Sequence, residues 1–392
     1  MKSADTGITA TFQKFFDSEK ASGILLIACT LMSLAIANSP AGPAYVDAWH
    51  ANVGGLSVEH WINDALMAVF FLMIGLELER ELYVGELSDF KNALLPIFAA
   101  VGGMLVPALI HFLINAGTPT QDGLGIPMAT DIAFALGILA LLGSRVPASL
   151  KVFVVAFAVI DDLGAIVVIA LFYTTKLSLA YLAGAVATWL FLVVLNRRFR
   201  VMLLWPYLLA GALMWFLMLK SGIHATIAGV MLAFAIPFSA KSEDVASPSH
   251  RLEHLLHKPV AFLILPLFAL ANTGIVIGAD WIQQLAGNNS AGIMAGLVIG
   301  KPLGVLLACL LAVKCGLCRL PGDLGWRHVA GAGMVGGIGF TMSIFITNLA
   351  FAGQAATINS SKLAILCASL AAGVAGFTCL RMSGDSSARR GP

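Results

Sequence analysis

Charge is what this sequence has least of. Lys and Arg number 23 and Asp and Glu 21 among 392 residues, so 11% of the chain is charged, against about 25% in a soluble protein. So few charges cannot cover a folded chain in water. The two signs nearly cancel, to a formal +2. That leaves no field to attract a polyanion and excludes a nucleic-acid partner. Cysteine is sparse: Cys29, Cys309, Cys315, Cys318, Cys367 and Cys379. Cys315 and Cys318 form a lone CGLC with no second pair of ligands nearby, so the pattern does not make a zinc site. Reduced thiols facing the cytoplasm are the expectation. A cleavable signal peptide is not evident either, and the first apolar run, Ala21 to Ala37, reads as the first of many spans.

What the chain does have is apolar length. Hydrophobic residues make up 59% of it, and Gly contributes 39 of 392, more than the usual ~7%. Small residues suit closely packed membrane helices. Apolar runs of roughly 20 residues, the length of a bilayer span, recur throughout. Twelve helices are expected, over 21–38, 61–83, 92–116, 125–143, 149–174, 179–196, 202–220, 222–238, 259–275, 290–313, 328–350 and 361–381. This is one all-α polytopic membrane domain, with tails over 1–20 and 382–392. With an even count, both termini share one side. The tails and the loops after even-numbered helices hold 19 of the 23 basic residues, and the opposite loops hold Lys176, Lys220 and Lys362. The bias places both termini in the cytoplasm.

Two loops stand out. Ala44–Trp61, AYVDAWHANVGGLSVEHW, has a Gly-Gly between short alternating stretches. It reads either as a small outer β-hairpin whose edge pairs with a second copy, or as a plain surface loop. The polar loop 239–258 is cytoplasmic and carries Glu253, His254 and His257.

Ionisable residues within the spans are few: Asp64, Asp131, Asp161, Asp162 and Lys301, with Glu77 and His224 near helix ends. Such residues are functional candidates by default, because charge inside a bilayer is costly. Asp161 and Asp162 are the only charges between Lys151 and Lys176. The turn between the fourth and fifth helices centres on Val146, and Asp131 and Asp161 lie equally far from it on either side. In an antiparallel pair they reach a similar depth, ~20 Å from the membrane edge and near the middle of a ~30 Å core. Lys301 is central in its own span. Three carboxylates and one ammonium are therefore expected to meet at the midplane. A buried ion pair explains one Asp and one Lys, but not the other two carboxylates.

Adjacent helical residues point about 100° apart, so one of Asp161 and Asp162 meets Lys301 while the other faces Asp131 across a cavity. Carboxylates, a hydroxyl such as Thr130 and freed carbonyls suit a hard cation, Na⁺ or Li⁺. The same carboxylates take up protons when the ion leaves. The backbone beside them is interruptible. Ile126–Gly137 carries Pro127, and Gly331–Phe345 has five glycines in nine residues. Both are poor continuous helices, and broken helices at membrane depth line cavities or sites. Helices 3–5 and 10–12 each hold one broken member in the middle, in opposite orientations, which makes an inverted repeat. Two rivals remain on these residues. A Na⁺-coupled solute symporter needs a pocket for an organic substrate. An intramembrane aspartyl protease needs two facing aspartates, but a GxGD stretch is lacking and a nearby lysine disturbs a shared proton.

Several long stretches carry a family likeness. They include WINDALMAVFFLMIGLELEREL (61–82), GIPMATDIAFALGILALLGSRVP (125–147), AFAVIDDLGAIVVIALFYT (156–174) and LKSGIHATIAGV (219–230). RLEHLLHKPVAFLILPLFALANTG (251–274), LVIGKPLGV (297–305) and GGIGFTMSIFI (336–346) continue it. The chain resembles the NhaA family of bacterial Na⁺/H⁺ antiporters from about Gly23 to Arg381. The resemblance implies electrogenic exchange, two protons in for one Na⁺ or Li⁺ out, in the bacterial inner membrane, with no cofactor and no enzymatic chemistry. It implies that Asp131 and Asp162 bind the ion beside Thr130, and that Asp161 partners Lys301. Asp64 and the glycines Gly336, Gly337 and Gly339 are then structural supports. Glu77, Arg80, Glu253, His254 and His257 match a cytoplasmic group tied to alkaline activation, and His224 a position tied to pH response. Homodimers through an outer hairpin are implied as well. In LELEREL, Glu79 stands where a basic residue is expected, which reverses a charge near the cytoplasmic end.

Overall fold

Long apolar segments have no water to bond to, so their N–H and C=O groups must pair within the segment. The chain meets this demand with helices. The structure, a computed structural model, describes residues 5–174, 177–239 and 247–387. The expected cytoplasmic loop lies outside the described residues over 240–246, as do 1–4 and 388–392 of the two tails and Lys176.

In chain order the helices begin with α1 (Asp5–Ala37), α2 (Gly42–His50), α3 (Val58–Trp61), α4 (Met67–Tyr83), α5 (Phe90–Asn115) and α6 (Ile132–Leu142). Next come α7 (Ala148–Phe172), α8 (Leu179–Arg197), α9 (Leu204–Ser221), α10 (Ile227–Ala233), α11 (Pro248–Pro259) and α12 (Leu265–Asn272). The last are α13 (Trp281–Ala286), α14 (Asn288–Ala295), α15 (Lys301–Lys314), α16 (Trp326–Gly336), α17 (Phe340–Ala350) and α18 (Ala355–Ser387). Among the described residues, nine helical stretches are long and apolar enough to cross a bilayer, and two bent pairs raise this to eleven if each is one span. The chain is an all-α, multi-pass membrane protein. The helix expected over 222–238 is α-helical only over Ile227–Ala233. Gly222, at φ +86°, ends α9 in the left-handed conformation, and Pro237 follows shortly after α10.

Between α2 and α3, β1 (Asn52–Val53) pairs antiparallel with β2 (Leu56–Ser57). Gly54 and Gly55 turn the hairpin at φ +64° and +91°, the geometry that tight two-residue hairpin loops require. The Trp61 indole N–H donates to the Val53 carbonyl at 2.8 Å and ties the hairpin to α3.

Two compact units emerge, one from 1–35, 94–162 and 275–392, the other from 36–93 and 163–274. In the first, α5 and α15 approach until their backbones touch. A methyl group added at Gly102 would fall on the Gly304 carbonyl, and one added at Gly304 on the Gly102 carbonyl. Small residues permit this approach where the hydrophobic effect cannot drive helices together. In the second unit, α4 packs on α10, and α8 on α9. Leu76, Tyr207, Met214 and Ala233 are fully buried there.

Among the described residues, three helical stretches contain a π turn: Ile62–Leu66, Val260–Ile264 and Gly296–Gly300. Two of them have a proline cause. Pro266 and Pro302 lack an N–H and crowd the carbonyl four residues back, so the backbone just before each widens. The Leu265 N–H reaches Val260 O, and the Lys301 N–H reaches Gly296 O.

The backbone contact between α5 and α15 gives a test. Gly304→Leu is expected to cost at least ~1–3 kcal/mol by overpacking, seen as a lower unfolding temperature in detergent. Gly137→Ala, whose added carbon meets nothing within 4 Å, should leave that temperature unchanged or raise it.

Candidate functional site

Two helices in the first unit are severed. The segment Gln121–Met128 is a 3₁₀ helix. Ala129 and Asp131 are extended, and α6 starts only at Ile132. On the other side α16 stops at Gly336 and α17 resumes at Phe340, with a bend of 46°. Pro127 and the glycines Gly336, Gly337 and Gly339 make both breaks cheap. The two breaks touch: the Asp131 N–H donates to the Ile338 carbonyl at 2.6 Å.

Severed helices leave backbone donors at each new N-terminus and acceptors at each new C-terminus. Asp131 answers the donors of both new helices. Its Oδ1 accepts from the Phe134 N–H at 3.1 Å, capping α6. Its Oδ2 accepts from the Thr341 N–H at 3.0 Å and the Thr341 hydroxyl at 2.5 Å, in the first turn of α17. A carboxylate at a helix N-terminus is also favoured by the helix dipole. Lys301 answers an acceptor. Its ammonium donates to the Met128 carbonyl, the last of the 3₁₀ segment, and to Asp161 Oδ2 at 2.5 Å.

Thr130 stands between these groups. Its Oγ1 is 2.7 Å from Asp161 Oδ2 and 2.9 Å from the Gly336 carbonyl. Both are acceptors, and a hydroxyl has one hydrogen, so only one of these bonds forms at a time. Asp161 Oδ1 is buried and accepts no hydrogen bond among the described residues. Asp162 is 1% exposed and close enough to Lys301 to act on it electrostatically. The Phe157 ring flanks the ammonium, 5.6 Å from its centroid. Asp161, Thr130 and Lys301 are thus in direct contact and Asp162 is within electrostatic range of the ammonium, while buried Asp131 bonds to the helix starts at the crossing. The oxygens that meet at Thr130, from the Asp161 carboxylate, the hydroxyl and the Gly336 carbonyl, are of the kind that suits a hard cation.

The remaining expected residues fall into two groups, both in the second unit. At one, Arg80 is shared among three carboxylates: Glu81 at 3.2 Å, Glu253 at 3.4 Å and Glu77 at 3.9 Å. His254 is exposed on α11 and His257 half-buried. Glu79 is buried and accepts from the Ser249 hydroxyl at 3.2 Å, so it turns inward rather than joining these ion pairs. At the other, the His224 Nε2–H donates to the Tyr173 carbonyl at 2.9 Å. Asp64, which His224 feels electrostatically, sits in a π turn with His60 Nε2 2.7 Å away. His224 is therefore not part of the Arg80 group.

The sequence pattern did not point to Thr341, His60 or Ser249. His60 was detectable, since a residue four positions before a helical Asp lies on the same face. Thr341 and Ser249 gave no local signal, because their partners are distant in the chain.

Buried charge held where two broken helices meet, in a multi-pass helical protein, is the arrangement of a secondary transporter. The family model for Na⁺/H⁺ antiporter 1 matches residues 13–380. The chain belongs to that family. It is 70% identical over 380 residues to the Na⁺/H⁺ antiporter NhaA of Dechloromonas aromatica (strain RCB), covering 97% of this chain and 98% of the relative. It is 57% identical to the NhaA of Cytophaga hutchinsonii over 96% of each chain. It is also 57% identical to that of Flavobacterium psychrophilum, over 95% and 96%.

Removing one partner of a buried ion pair strands the other. Lys301→Met should destabilise the protein by roughly 3–5 kcal/mol, measured as a fall in unfolding temperature. Adding Asp161→Asn to that variant should restore part of the loss, which is the signature of coupled residues.

Proposed function

We propose that this chain exchanges Na⁺ for protons by alternating access, using the carboxylates at the crossing of its broken helices. The observation that carries the reading is the charge count. Asp131, Asp161 and Asp162 are all buried in the unit that holds the one ammonium of Lys301, and that ammonium is already spent on Asp161 and a carbonyl. Such a site is completed by one cation or by protons, and competition between them is enough to couple their movements.

The ligands proposed for Na⁺, and for Li⁺ by the same chemistry, are Asp162 and Asp161, with Thr130 completing the set. Asp131 was expected to bind the ion directly. Its oxygens accept three hydrogen bonds, which favours a role in fixing the crossing while its charge contributes to the field. When Na⁺ binds, protons leave the Asp161–Asp162 side. Once Na⁺ is released on the other face, protons return, and Asp161 can let go of Lys301. Two protons per Na⁺ would move one net charge inward per cycle. A potential of 100 mV, negative inside, then contributes about 2.3 kcal/mol, which drives Na⁺ out even into alkaline medium.

The surrounding architecture belongs to the same reading. Twelve spans with both termini cytoplasmic, in the bacterial inner membrane, agree with the basic-residue bias. An inverted repeat of helices 3–5 and 10–12 would put the two breaks back to back. A homodimer would form across the hairpin. Activation at alkaline pH is assigned to Glu77, Arg80, Glu253, His254 and His257, with His224 acting separately. Ordinary histidine titrates near pH 6.5 and carboxylates lower. The assignment rests on the cluster itself, three carboxylates gathered on the Arg80 guanidinium.

The first test is Na⁺-driven proton movement in proteoliposomes. The native chain should exchange, and Asp162→Asn should lose at least about 100-fold, as expected when a ligand charge is removed from a buried site. Exchange that survives in Asp162→Asn would move the ion site elsewhere. The second test replaces Glu253 and His254 together. The activity-versus-pH curve should shift along the pH axis, and an unmoved curve would remove the Arg80 group from pH control.

A further inference from the structure

One aromatic side chain stands among the buried charges of the first unit. Phe157 lies on α7 four residues before Asp161, so ring and carboxylate share one face of the helix. The ring is fully buried. It is also closely fitted. A carbon added at Gly336 of α16 would fall 2.8 Å from its Cζ and 2.9 Å from its Cε1, and one added at Gly103 of α5 would fall 3.4 Å from its Cε2. Phe153, one turn earlier on α7, lies nearly parallel to it, with centroids 6.3 Å apart and planes at 20°. An aliphatic side chain would fill apolar space as well, so a ring held this closely requires a further reason.

The reason lies on the face of the ring. Lys301 Nζ stands over it, 5.6 Å from the centroid, within the range at which the electrons of an aromatic face attract an ammonium. The carbon added at Gly103 would also lie 3.6 Å from Lys301 Cε, so that glycine lets the ring and the lysine stem lie side by side. The oxygen partners of the ammonium are the Met128 carbonyl and Asp161 Oδ2. They differ in constancy. The carbonyl is neutral throughout. Asp161 is charged only while it holds no proton, and Asp162, which also acts on the ammonium, changes its charge in the same exchange. A protonated Asp161 therefore leaves a fully buried ammonium short of compensation, which is costly. The ring neither titrates nor gives up an oxygen to Na⁺, so its attraction persists when that of Asp161 is lost. Such attraction is larger for a desolvated cation than for an exposed one.

We propose that Phe157 is a positioning residue for exchange: the face of its ring holds the Lys301 ammonium in place while Asp161 carries a proton. This role rests on the exchange reading above, whereas the contact between ring and ammonium does not. An ammonium held there stays beside the Met128 carbonyl at the broken helix and meets Asp161 again once the carboxylate loses its proton. With an aliphatic residue in place of the ring, the ammonium would have only the carbonyl as a constant partner, and the ion pair would re-form more slowly.

The test replaces Phe157 in the full-length protein by its 4-fluoro, 3,5-difluoro and 3,4,5-trifluoro analogues. Each fluorine draws electrons from the ring face and weakens its hold on a cation, while the ring stays close to its native size. Na⁺-driven proton movement in proteoliposomes should slow with each fluorine, by about 2- to 30-fold across the series, and Phe157→Leu should be as slow as the trifluoro ring. A native rate throughout the series overturns the proposal even where Phe157→Leu is slow, because a slow leucine variant alone reports packing. Unfolding temperature in detergent is the second readout. It should fall with each fluorine in the otherwise native chain and hold steady in the Asp161→Asn/Lys301→Met double variant, which has no ammonium. An equal fall in both backgrounds overturns the proposal, since the fluorines then act by their bulk against Gly336. If Phe157→Leu fails to accumulate, the fluorinated rings decide by themselves. Absence of Na⁺-driven proton movement in the native protein is a different result. It defeats the exchange reading and the role in exchange with it, while the unfolding temperatures still decide whether the ring holds the ammonium.

Discussion

The first unit depends on how its severed helix ends are neutralised. Cutting two helices inside an apolar bundle exposes backbone donors and acceptors that a soluble protein would leave to water. Here a single carboxylate, Asp131, takes donors from two helix starts, and a single ammonium, Lys301, takes a carbonyl at one helix stop. The charges are thus structural before they are functional. Because the ammonium is also committed to Asp161, any change in the charge of that carboxylate changes how well the broken segment is held. Chemistry at the site and geometry of the helices are the same set of bonds.

The second unit treats charge differently. Around Arg80 there are three carboxylates and one cation in reach of solvent, an arrangement with shared, adjustable bonds rather than fixed ones. These pairs are half-buried, with the Arg80 side chain 38% exposed and its carboxylates 14–17%. Glu79 shows the contrast within one helix turn: it is buried against Ser249 and stays out of the pool. Glu79 therefore acts on the packing of α11 against α4 rather than on the ion pairs beside it.

Much of this was legible in the sequence, and for a physical reason. Charge is so expensive in an apolar span that each instance is informative, and equal spacing from a turn translates directly into equal depth. That logic brings Asp131, Asp161 and Lys301 together from their positions along the chain alone. Glycine and proline mark both breaks, because their backbone effects are local. Thr341 stayed hidden because a threonine in an apolar helix has many uses, and only the crossing gives it Asp131 as a partner. The shortness of α10 was hidden for a related reason: periodicity reports where a helix is permitted, while the turn at Gly222 and the close packing on α4 decide where it ends.

The π turn before Lys301 has a bearing on how this protein can vary. A π turn holds one residue more than the α-helix around it. The extra residue is absorbed within a single turn, so the helix beyond keeps nearly the phase of a regular α-helix one residue shorter. Lys301 would therefore keep its direction toward Asp161 with or without the additional residue. A one-residue gap here, conspicuous when sequences are placed side by side, would leave the ion pair in place.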